Sequence, residues 1–331
     1  MRFEAAFAKY VETKYAVAMN SGTAALHAAL LAADVGRGDE VIIPSFTSVA
    51  TAEAVAMARA RPVFVDIDED TYCIDPDEIE LAITSRTKAI IPVHLYGLVA
   101  DMNRIVNIAK DRNLLVIENA NQAHGAKQDG KFAGNLGDMG CFSFYGSRNM
   151  TTGEGGMVTT NSREFLNVLR TIRNHGESKA DRSIMIGHNY RMTEIEAAIG
   201  LAQLLKLPKF LEMRRRNANV MSEMLGDVDS LRLSTIPLGN DHSWNVFTLR
   251  LLGANASKRN RVVSKIHRRR VDARVYYPTP IHMFQYYQKL FGSYQLSKTE
   301  TAARQVFSLP VHPGITDSDL ARIVRAVKTS L

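Results

Sequence analysis

The sequence predicts an α/β protein in which a large domain, with a mostly parallel sheet sandwiched by helices, precedes a small α+β domain. Short runs that are apolar throughout alternate with helical stretches, which is typical of a parallel sheet that helices cover on both faces. The chain has 331 residues, enough for two unequal domains. Polar and glycine-rich segments follow several predicted strands, at the sheet edge where such proteins bind ligands.

The large domain is predicted to begin with a helix over residues 3–14. Its strands are buried apolar runs, and its helices begin at polar caps or, as at 75–78, at proline and acidic residues that favour a first turn. The predicted strands cover 16–19, 40–44, 62–68, 88–93, 114–118, 141–144 and 157–160, and the further helices cover 20–33, 48–58, 102–111 and 163–173.

The boundary between the domains is placed at Pro208. Thr193 and the acidic residues after it predict the start of a helix that runs to residue 206. Proline disrupts helix interiors, so Pro208 is predicted to end this helix and to start another that reaches about residue 224. Residues 1–207 then form the large domain and residues 208–331 the small one, with strands over 244–252 and 272–277 and helices over 258–270 and 317–330.

The composition argues against several classes of protein. Hydrophobic residues make up 46% of the chain and charged residues 23%, which is ordinary for a soluble globular protein. No apolar run is long enough to cross a bilayer, and the N-terminus lacks a signal-peptide core. A cytoplasmic location without a membrane partner is therefore expected. We expect Cys73 and Cys141 to be buried free thiols, and we expect no metal site.

The net charge of +7 raises the question of a nucleic-acid partner. Two basic clusters, at 214–216 and 258–270, account for much of the excess. Both clusters fall on predicted amphipathic helices and contain no interleaved aromatic residues. This pattern favours solvated helix faces over a nucleic-acid surface.

The most informative stretch covers residues 141–156. Ser143 ends an apolar strand, a polar loop with Arg148 follows, and Gly-Glu-Gly-Gly closes the stretch where glycine permits a positive φ or a close approach to a ligand. Residues 20–23 open a helix whose N-terminus suits a phosphate, although an ordinary N-cap explains the same residues. Together with 119–124, these segments are expected to meet at one edge of the sheet.

Several blocks along nearly the whole chain, in addition to the stretch 141–156, form one ordered pattern. The blocks are 20–26, 44–47, 94–97, 122–125, 151–156, 189–194, 242–244 and 308–314. They resemble the DegT/StrS-type, PLP-dependent sugar aminotransferases, a family of amino-sugar and polysaccharide biosynthesis. The resemblance implies the type I aminotransferase fold, PLP or PMP as cofactor, a nucleotide-linked sugar as substrate and a homodimer with shared active sites.

The family's cofactor contacts map onto residues of this sequence. By resemblance, Thr23 and Ala24 would hold the cofactor phosphate at a helix N-terminus, and Ser143 would add its hydroxyl group. Asn189 would reach the same phosphate from the partner subunit. Gln122 would contact the phenolic oxygen of the cofactor ring.

The sequence departs from the family pattern around this one cofactor. Arg148 stands where the family has its Schiff-base lysine, and a guanidinium cannot replace an amine as nucleophile or base. Asn119 stands where the family has the aspartate that keeps the ring nitrogen protonated. Ser48 occupies a position where an aromatic residue often packs on the ring. The chain is also expected to lack an N-terminal segment of about two dozen residues.

Three functional hypotheses follow. The first is an active aminotransferase of nucleotide-linked keto sugars that uses glutamate as amino donor. The second is a non-catalytic pseudoenzyme whose ligand is a non-covalently held cofactor, a nucleotide sugar or a related protein. In such a pseudoenzyme, Arg148 could pair with a phosphate. The third is a PMP-dependent sugar dehydratase, although those relatives carry histidine at the lysine position and arginine is a poor proton shuttle.

Overall fold

The computed structural model describes residues 2–179 and 181–331, and residues 1 and 180 lie outside it. The helices are α1 (Arg2–Val11), α2 (Gly22–Ala32), α3 (Ala50–Met57), α4 (Pro76–Ala82), α5 (Met102–Arg112), α6 (Arg163–Arg173), α7 (Glu194–Leu225), α8 (Ala256–Arg268), α9 (Gln285–Phe291), α10 (Ser297–Gln305) and α11 (Asp317–Lys328). Short 3₁₀ turns occur at Leu95–Gly97 and Ile281–Met283.

Each strand predicted for the large domain has a counterpart in the structure, and additional short strands occur in both halves of the chain. They are β1 (Tyr15–Met19), β2 (Glu40–Pro44), β3 (Arg61–Val65), β4 (Thr87–Ile90), β5 (Leu115–Asn119), β6 (Lys127–Gln128), β7 (Lys131–Phe132), β8 (Met139–Ser143), β9 (Gly156–Thr160), β10 (Glu177–Lys179), β11 (Arg182–Ser183), β12 (Leu231–Leu233), β13 (Asn240–Asp241), β14 (Phe247–Leu251) and β15 (Val306–Leu309).

A seven-stranded sheet organises the large part of the molecule, in the order β1-β9-β8-β5-β4-β2-β3. The pairs from β3 to β8 are parallel, whereas β9 pairs antiparallel with both β8 and β1. Because parallel neighbours leave their carboxyl ends at one edge, the loops after β2, β5 and β8 meet there. The predicted α/β fold with a mostly parallel sheet is confirmed.

Both faces of this sheet are covered, as the continuous apolar runs predict. In β2, Ile42 contributes to one hydrophobic core, while Val41 and Ile43 contribute to a second core on the other face. Helices α1, α5 and α7 add residues to the first core, and α2, α3 and α6 add residues to the second. The sheet therefore holds its strand ends between two packed layers.

A third core lies in the C-terminal part of the chain. The antiparallel sheet β12-β14-β15 packs there with residues of α7, α8 and α11. Strand β12 and strand β15 were not predicted. Neither stands out in the sequence, because each has only three or four residues.

The predicted break at Pro208 is wrong. Helix α7 is continuous over 32 residues, with Pro208 inside it. Proline removes one backbone donor, but Pro208 is exposed, and Leu204, Leu207 and Leu211 on either side pack into the first core. Tertiary packing thus keeps the helix together, and the domain boundary at this position stays a prediction.

The predicted strand over 272–277 is also wrong. Only Arg274 forms a β-bridge, with Ser308 of β15. Beyond that bridge the chain turns toward the sheet, where Tyr277 contacts a side chain that follows β5.

Trp244 marks the junction between the C-terminal part and the large sheet. Its side chain is only 5% exposed and stacks on His242 at 4.1 Å and on Phe247 at 5.5 Å between ring centroids. The neighbouring Ser243 donates its backbone N–H to the carbonyl oxygen of Gly97 at 2.9 Å. The junction is therefore fixed by backbone contacts as well as by stacked rings.

Cys73 and Cys141 are buried free thiols, as expected. Among the described residues, no helix is long and apolar enough to cross a membrane. Within the same residues, no group of three or more His, Cys, Asp or Glu side chains could hold a metal ion.

Candidate functional site

A pocket of about 210 Å³ lies at the carboxyl ends of the parallel strands. It lies where the segments after β1, β5 and β8 meet, which is the convergence that the sequence predicts. The residues singled out from the sequence that line it are Thr23, Ser48, Asn119, Gln122, Ser143 and Arg148.

The N-terminus of α2 forms one wall of the pocket. Ser21 caps the helix and accepts a hydrogen bond from the backbone N–H of Ala24 at 3.0 Å. The N–H groups of Gly22 and Thr23 have no partner within the helix, and both residues line the pocket. These free donors and the positive end of the helix dipole make the wall suitable for an anion.

Gly22 allows this wall to lie close to β8. A Cβ atom on Gly22 would lie 2.6 Å from Cβ of Ser143 and 2.9 Å from Oδ1 of Asn121, closer than such atoms approach in proteins. Ala24, by contrast, is buried and already donates its N–H to Ser21. Gly22 was not singled out from the sequence, although its position at the start of a helix is a usable signal.

Ser143 ends β8 and turns its hydroxyl group toward the pocket. The oxygen accepts a hydrogen bond from the backbone N–H of Tyr145 at 3.3 Å. The hydroxyl proton is then available for a ligand, because a serine hydroxyl both accepts and donates. Ser143 and the α2 terminus therefore converge on one small volume.

Asn119 lies at the end of β5 with its amide engaged by the protein. Its Nδ2 donates to Oγ1 of Thr51 at 2.9 Å, and its Oδ1 accepts from the backbone N–H of Asn121 at 3.2 Å. Oδ1 of Asn121 is buried without a hydrogen-bond partner. Thr51 was missed in the sequence, because it reaches Asn119 only through the packing of α3 on the sheet.

Gln122 connects the pocket to two other segments. Its Oε1 accepts from the backbone N–H of Tyr96 at 2.9 Å, and its Nε2 donates to the hydroxyl oxygen of Tyr277 at 3.1 Å. Burial raises the pKa of Tyr277, and the nearby Arg148 guanidinium opposes that rise. Tyr277 therefore stays a neutral phenol, and no pattern in the sequence indicated its place here.

Arg148 brings a positive charge into the pocket. Its Nε atom is buried and has no hydrogen-bond partner, and no carboxylate of the described chain forms an ion pair with its guanidinium. Burial lowers the pKa of Arg148, whereas Tyr277, Tyr276 and Tyr145 oppose that effect. Guanidinium groups nevertheless stay protonated in proteins, so the charge remains.

His124 adds no second positive charge near Arg148. It is buried against Phe142 and Phe144, with ring centroids 5.3 and 5.6 Å away. Burial, with further contributions from the cations Arg148 and Arg214, lowers the pKa of His124 to about 3. His124 is therefore neutral at physiological pH.

Asn189 lies outside the pocket. Its side chain is exposed, and its carbonyl oxygen accepts a hydrogen bond from Nδ2 of Asn20 at 3.2 Å. Its role toward the active site of a partner subunit stays a prediction.

A buried carboxylate holds the strand ends that carry the site. Glu118 of β5 is 0% exposed, and its oxygens accept hydrogen bonds from Nε2 of His94 at 2.8 Å and from the backbone N–H groups of Gly134, Leu136 and Gly137 at 2.7–2.8 Å. These bonds tie the loop before β8 to β5. Asn119 and Ser143 therefore start from a rigid base.

The model of the DegT/DnrJ/EryC1/StrS aminotransferase family matches residues 1–328. This chain belongs to that family. GDP-perosamine synthase from Caulobacter vibrioides is 40% identical over 330 residues, which cover 99% of this chain and 88% of the relative. The family acts on nucleotide sugars.

Solved structures of family members share the fold. DesV of S. venezuelae, in complex with a ketimine intermediate, superposes with a TM-score of 0.94 at 36% identity and covers 99% of this chain and 88% of its own. NtdA from Bacillus subtilis, with bound cofactor PMP, gives a TM-score of 0.92 at 32% identity over 99% of this chain and 76% of its own. Relatives of this chain therefore bind pyridoxal-type cofactors.

The pocket fits the phosphate end of such a cofactor. The free N–H groups of Gly22 and Thr23 and the Ser143 hydroxyl form a cradle that a Cβ on Gly22 would fill. The rest of the pocket is less suited to a covalently attached cofactor. None of the described residues that line the pocket is a lysine, so none can form a Schiff base. The donor set therefore suits a ligand that is held without a covalent bond.

Proposed function

We propose that this chain is a nucleotide-sugar aminotransferase family member that binds PLP or PMP non-covalently and has lost most or all transamination. The observation that carries this proposal is that Arg148 lines the pocket with its Nε buried and without a partner. By resemblance, this position is that of the family's Schiff-base lysine. An unprotonated primary amine attacks the cofactor aldehyde and later moves protons. A guanidinium remains protonated and does neither.

Asn119 supports the same proposal at the other end of the cofactor. When bound, the cofactor supplies an electron-withdrawing ring, and a carboxylate beside the ring nitrogen strengthens that effect. Asn119 carries no charge, and its amide is already bonded to Thr51 and to the backbone of Asn121. Gln122 and Ser143 would still hold the ring oxygen and the phosphate.

We further propose that the chain forms a homodimer whose active sites are shared, with Asn189 reaching the phosphate of the partner. Exposed apolar side chains on the segment before α7 and on its first turns support this assembly. They are Ile184, Ile186, Ile195 and Ile199, with exposures of 63%, 86%, 76% and 42%.

The test is a spectral titration of the purified protein with PLP, before and after borohydride treatment, together with a transamination assay that uses glutamate. We expect no borohydride-reducible adduct and no amino transfer. Mass spectrometry of a peptide digest checks every lysine of the chain. A stoichiometric reduced adduct on any lysine would overturn the proposal.

A further inference from the structure

The candidate pocket contains a cation that the described chain does not neutralise. The Nε of Arg148 is buried without a partner, and the guanidinium forms no ion pair with a described residue. Glu154 is the carboxylate among the described lining residues, but it is exposed and lies beyond ion-pair distance. Arg148 is half-buried, and a charge that is withdrawn from water without a partner is costly, so this arrangement favours the binding of an anion.

A second anion-binding group faces the same small pocket. The N–H groups of Gly22 and Thr23 and the hydroxyl of Ser143 converge at the N-terminus of α2. With a volume of about 210 Å³, the pocket places this cradle within the reach of one small molecule that also contacts Arg148. The two groups differ in kind, because backbone donors surround a single tetrahedral anion whereas a guanidinium pairs in a planar, two-pronged manner.

We propose that this pocket binds a small ligand with two oxyanions, a phosphate at the N-terminus of α2 and a carboxylate or second phosphate on Arg148. The proposal rests on the proposed function in one respect, since it requires that Arg148 takes no part in covalent chemistry. The ligand and the cofactor would use the same phosphate donors, so the ligand binds the cofactor-free protein. It gives Arg148, which cannot form a covalent link to the cofactor, a role in the recognition of a ligand.

Tyr277 is the phenol with the largest electrostatic influence on Arg148. Gln122 donates to the Tyr277 hydroxyl oxygen at 3.1 Å, and Tyr277 opposes the lowering of the Arg148 pKa by burial. A phenol of this kind is neutral and does not compensate the charge. The fork of Arg148 is thus left for an oxyanion of the ligand.

The test compares three probes by isothermal titration at constant ionic strength: inorganic phosphate, phosphoglycolate and methylenediphosphonate. We expect at least one of the two-anion probes to bind the full chain about tenfold or more tightly than phosphate, because hydrogen bonds to charged groups are the strong ones. Preference for phosphoglycolate identifies a carboxylate on Arg148, and preference for methylenediphosphonate identifies a phosphate there.

Variants separate the two subsites. Arg148→Met should abolish the preference for two-anion probes and leave the affinity for phosphate nearly unchanged. Ser143→Ala should weaken all three probes by a similar factor. Arg215→Met, an exposed position on α7, is the matched control and should behave like the wild type. Thermal unfolding checks that each variant folds. If Arg148→Met does not fold, Arg148→Gln replaces it.

Equal affinity for one-anion and two-anion probes in the wild type overturns the inference, and so does a preference that survives in Arg148→Met. The proposed function is tested separately by the borohydride experiment. A reducible adduct overturns that function while the titrations of cofactor-free protein still report on the two subsites. If the wild type shows neither a two-anion preference nor an adduct, this inference alone is overturned.

Discussion

At the scale of single residues, the chemistry of the pocket depends on the difference between a guanidinium and an amine at position 148. The surrounding groups remain suited to a phosphate: Ser143 and the α2 terminus keep free donors. Asn119 keeps the shape of a carboxylate without its charge. By resemblance, Arg148 and Asn119 both depart from the family pattern, and together these departures would explain the loss of activity that we propose, while the fold stays intact.

Restoring the family pattern at both positions should restore covalent binding. In Arg148→Lys/Asn119→Asp we expect a PLP adduct on Lys at position 148 that borohydride reduces, because the amine regains a nucleophile and the carboxylate regains the ring-nitrogen partner. Absorbance spectra and peptide mass spectrometry measure it. Arg148→Gln/Asn119→Asp is the control and should give no adduct. A colourless double variant would mean that another departure, such as Ser48, has also altered the site.

His242 links stability to pH. Its Nδ1 accepts the backbone N–H of Trp244 at 2.8 Å, and burial lowers its pKa to about 3 from an ordinary value of 6.5. Between these values the unfolded state binds more protons than the folded state, so stability rises with pH. The stabilisation is complete above pH 6.5 and decreases as the pH falls toward 3.

We expect the free energy of unfolding to fall by up to about 1.4 kcal/mol per pH unit for each such histidine below pH 6.5. His242→Asn, which keeps an acceptor for the Trp244 N–H, should flatten this dependence. Urea unfolding at pH 7, 6, 5 and 4 measures it. His175→Asn changes an exposed histidine and should leave the slope as in the wild type. An equal slope in all three proteins would refute the assignment to His242.

At the scale of elements, the approach of α2 to β8 creates the anion-binding wall. A Cβ on Gly22 would lie 2.6 Å from Cβ of Ser143, so the two elements would have to separate. Gly22→Ala should weaken phosphate binding about tenfold or more and lower stability by about 1–3 kcal/mol, as overpacking does. Titration and urea unfolding measure both effects.

Gly36→Ala is the matched control for that substitution. Open space surrounds a Cβ at this position, and its backbone conformation does not require glycine. We expect it to change neither phosphate binding nor stability appreciably. If Gly22→Ala behaved like Gly36→Ala, the close approach of α2 and β8 would not be what forms the cradle.

The elements also indicate how far the sequence can predict structure. Helix α6 and strands β1, β2 and β9 lie within a residue of their predicted bounds, because their apolar patterns and caps are local signals. Pro208 gave a misleading local signal, since packing of the flanking leucines overrides the loss of one hydrogen bond. The segment 272–277 looks like a strand but has no partner strand along most of its length.

The same reasoning applies to the site. Thr23, Asn119, Gln122, Ser143 and Arg148 could be placed together because strand ends in parallel sheets converge. Tyr277 and Thr51 could not, since each reaches the site through long-range packing that leaves no periodic trace in the sequence. The unpaired state of Arg148 likewise depends on which carboxylates the fold keeps away.

At the scale of the whole molecule, the exposed isoleucines near the start of α7 are expected to pair with a second copy. In Ile186→Glu/Ile195→Glu two side chains that are 86% and 76% exposed would bring charge into that interface. We expect the variant to sediment as a monomer while the wild type sediments as a dimer. Sedimentation equilibrium in the ultracentrifuge measures the masses.

Leu81→Glu is the control for this prediction. Leu81 is 82% exposed on α4, away from the segment that leads into α7. We expect this variant to keep the mass of the wild type. A dimer that survives the double substitution would mean that the copies meet through a different face.

The junction around Trp244 also gives the protein an internal optical reporter. The chain has a single tryptophan, and its indole stacks on His242 at 4.1 Å. The adjoining carbonyl of Ser243 accepts a hydrogen bond at 2.8 Å from Nδ2 of Asn149, the residue after Arg148. All indole emission therefore arises from the residue next to Ser243, which is bonded to the loop that carries Arg148. A shift of that loop on ligand binding can be followed by intrinsic fluorescence, without a dye and without chemical labelling.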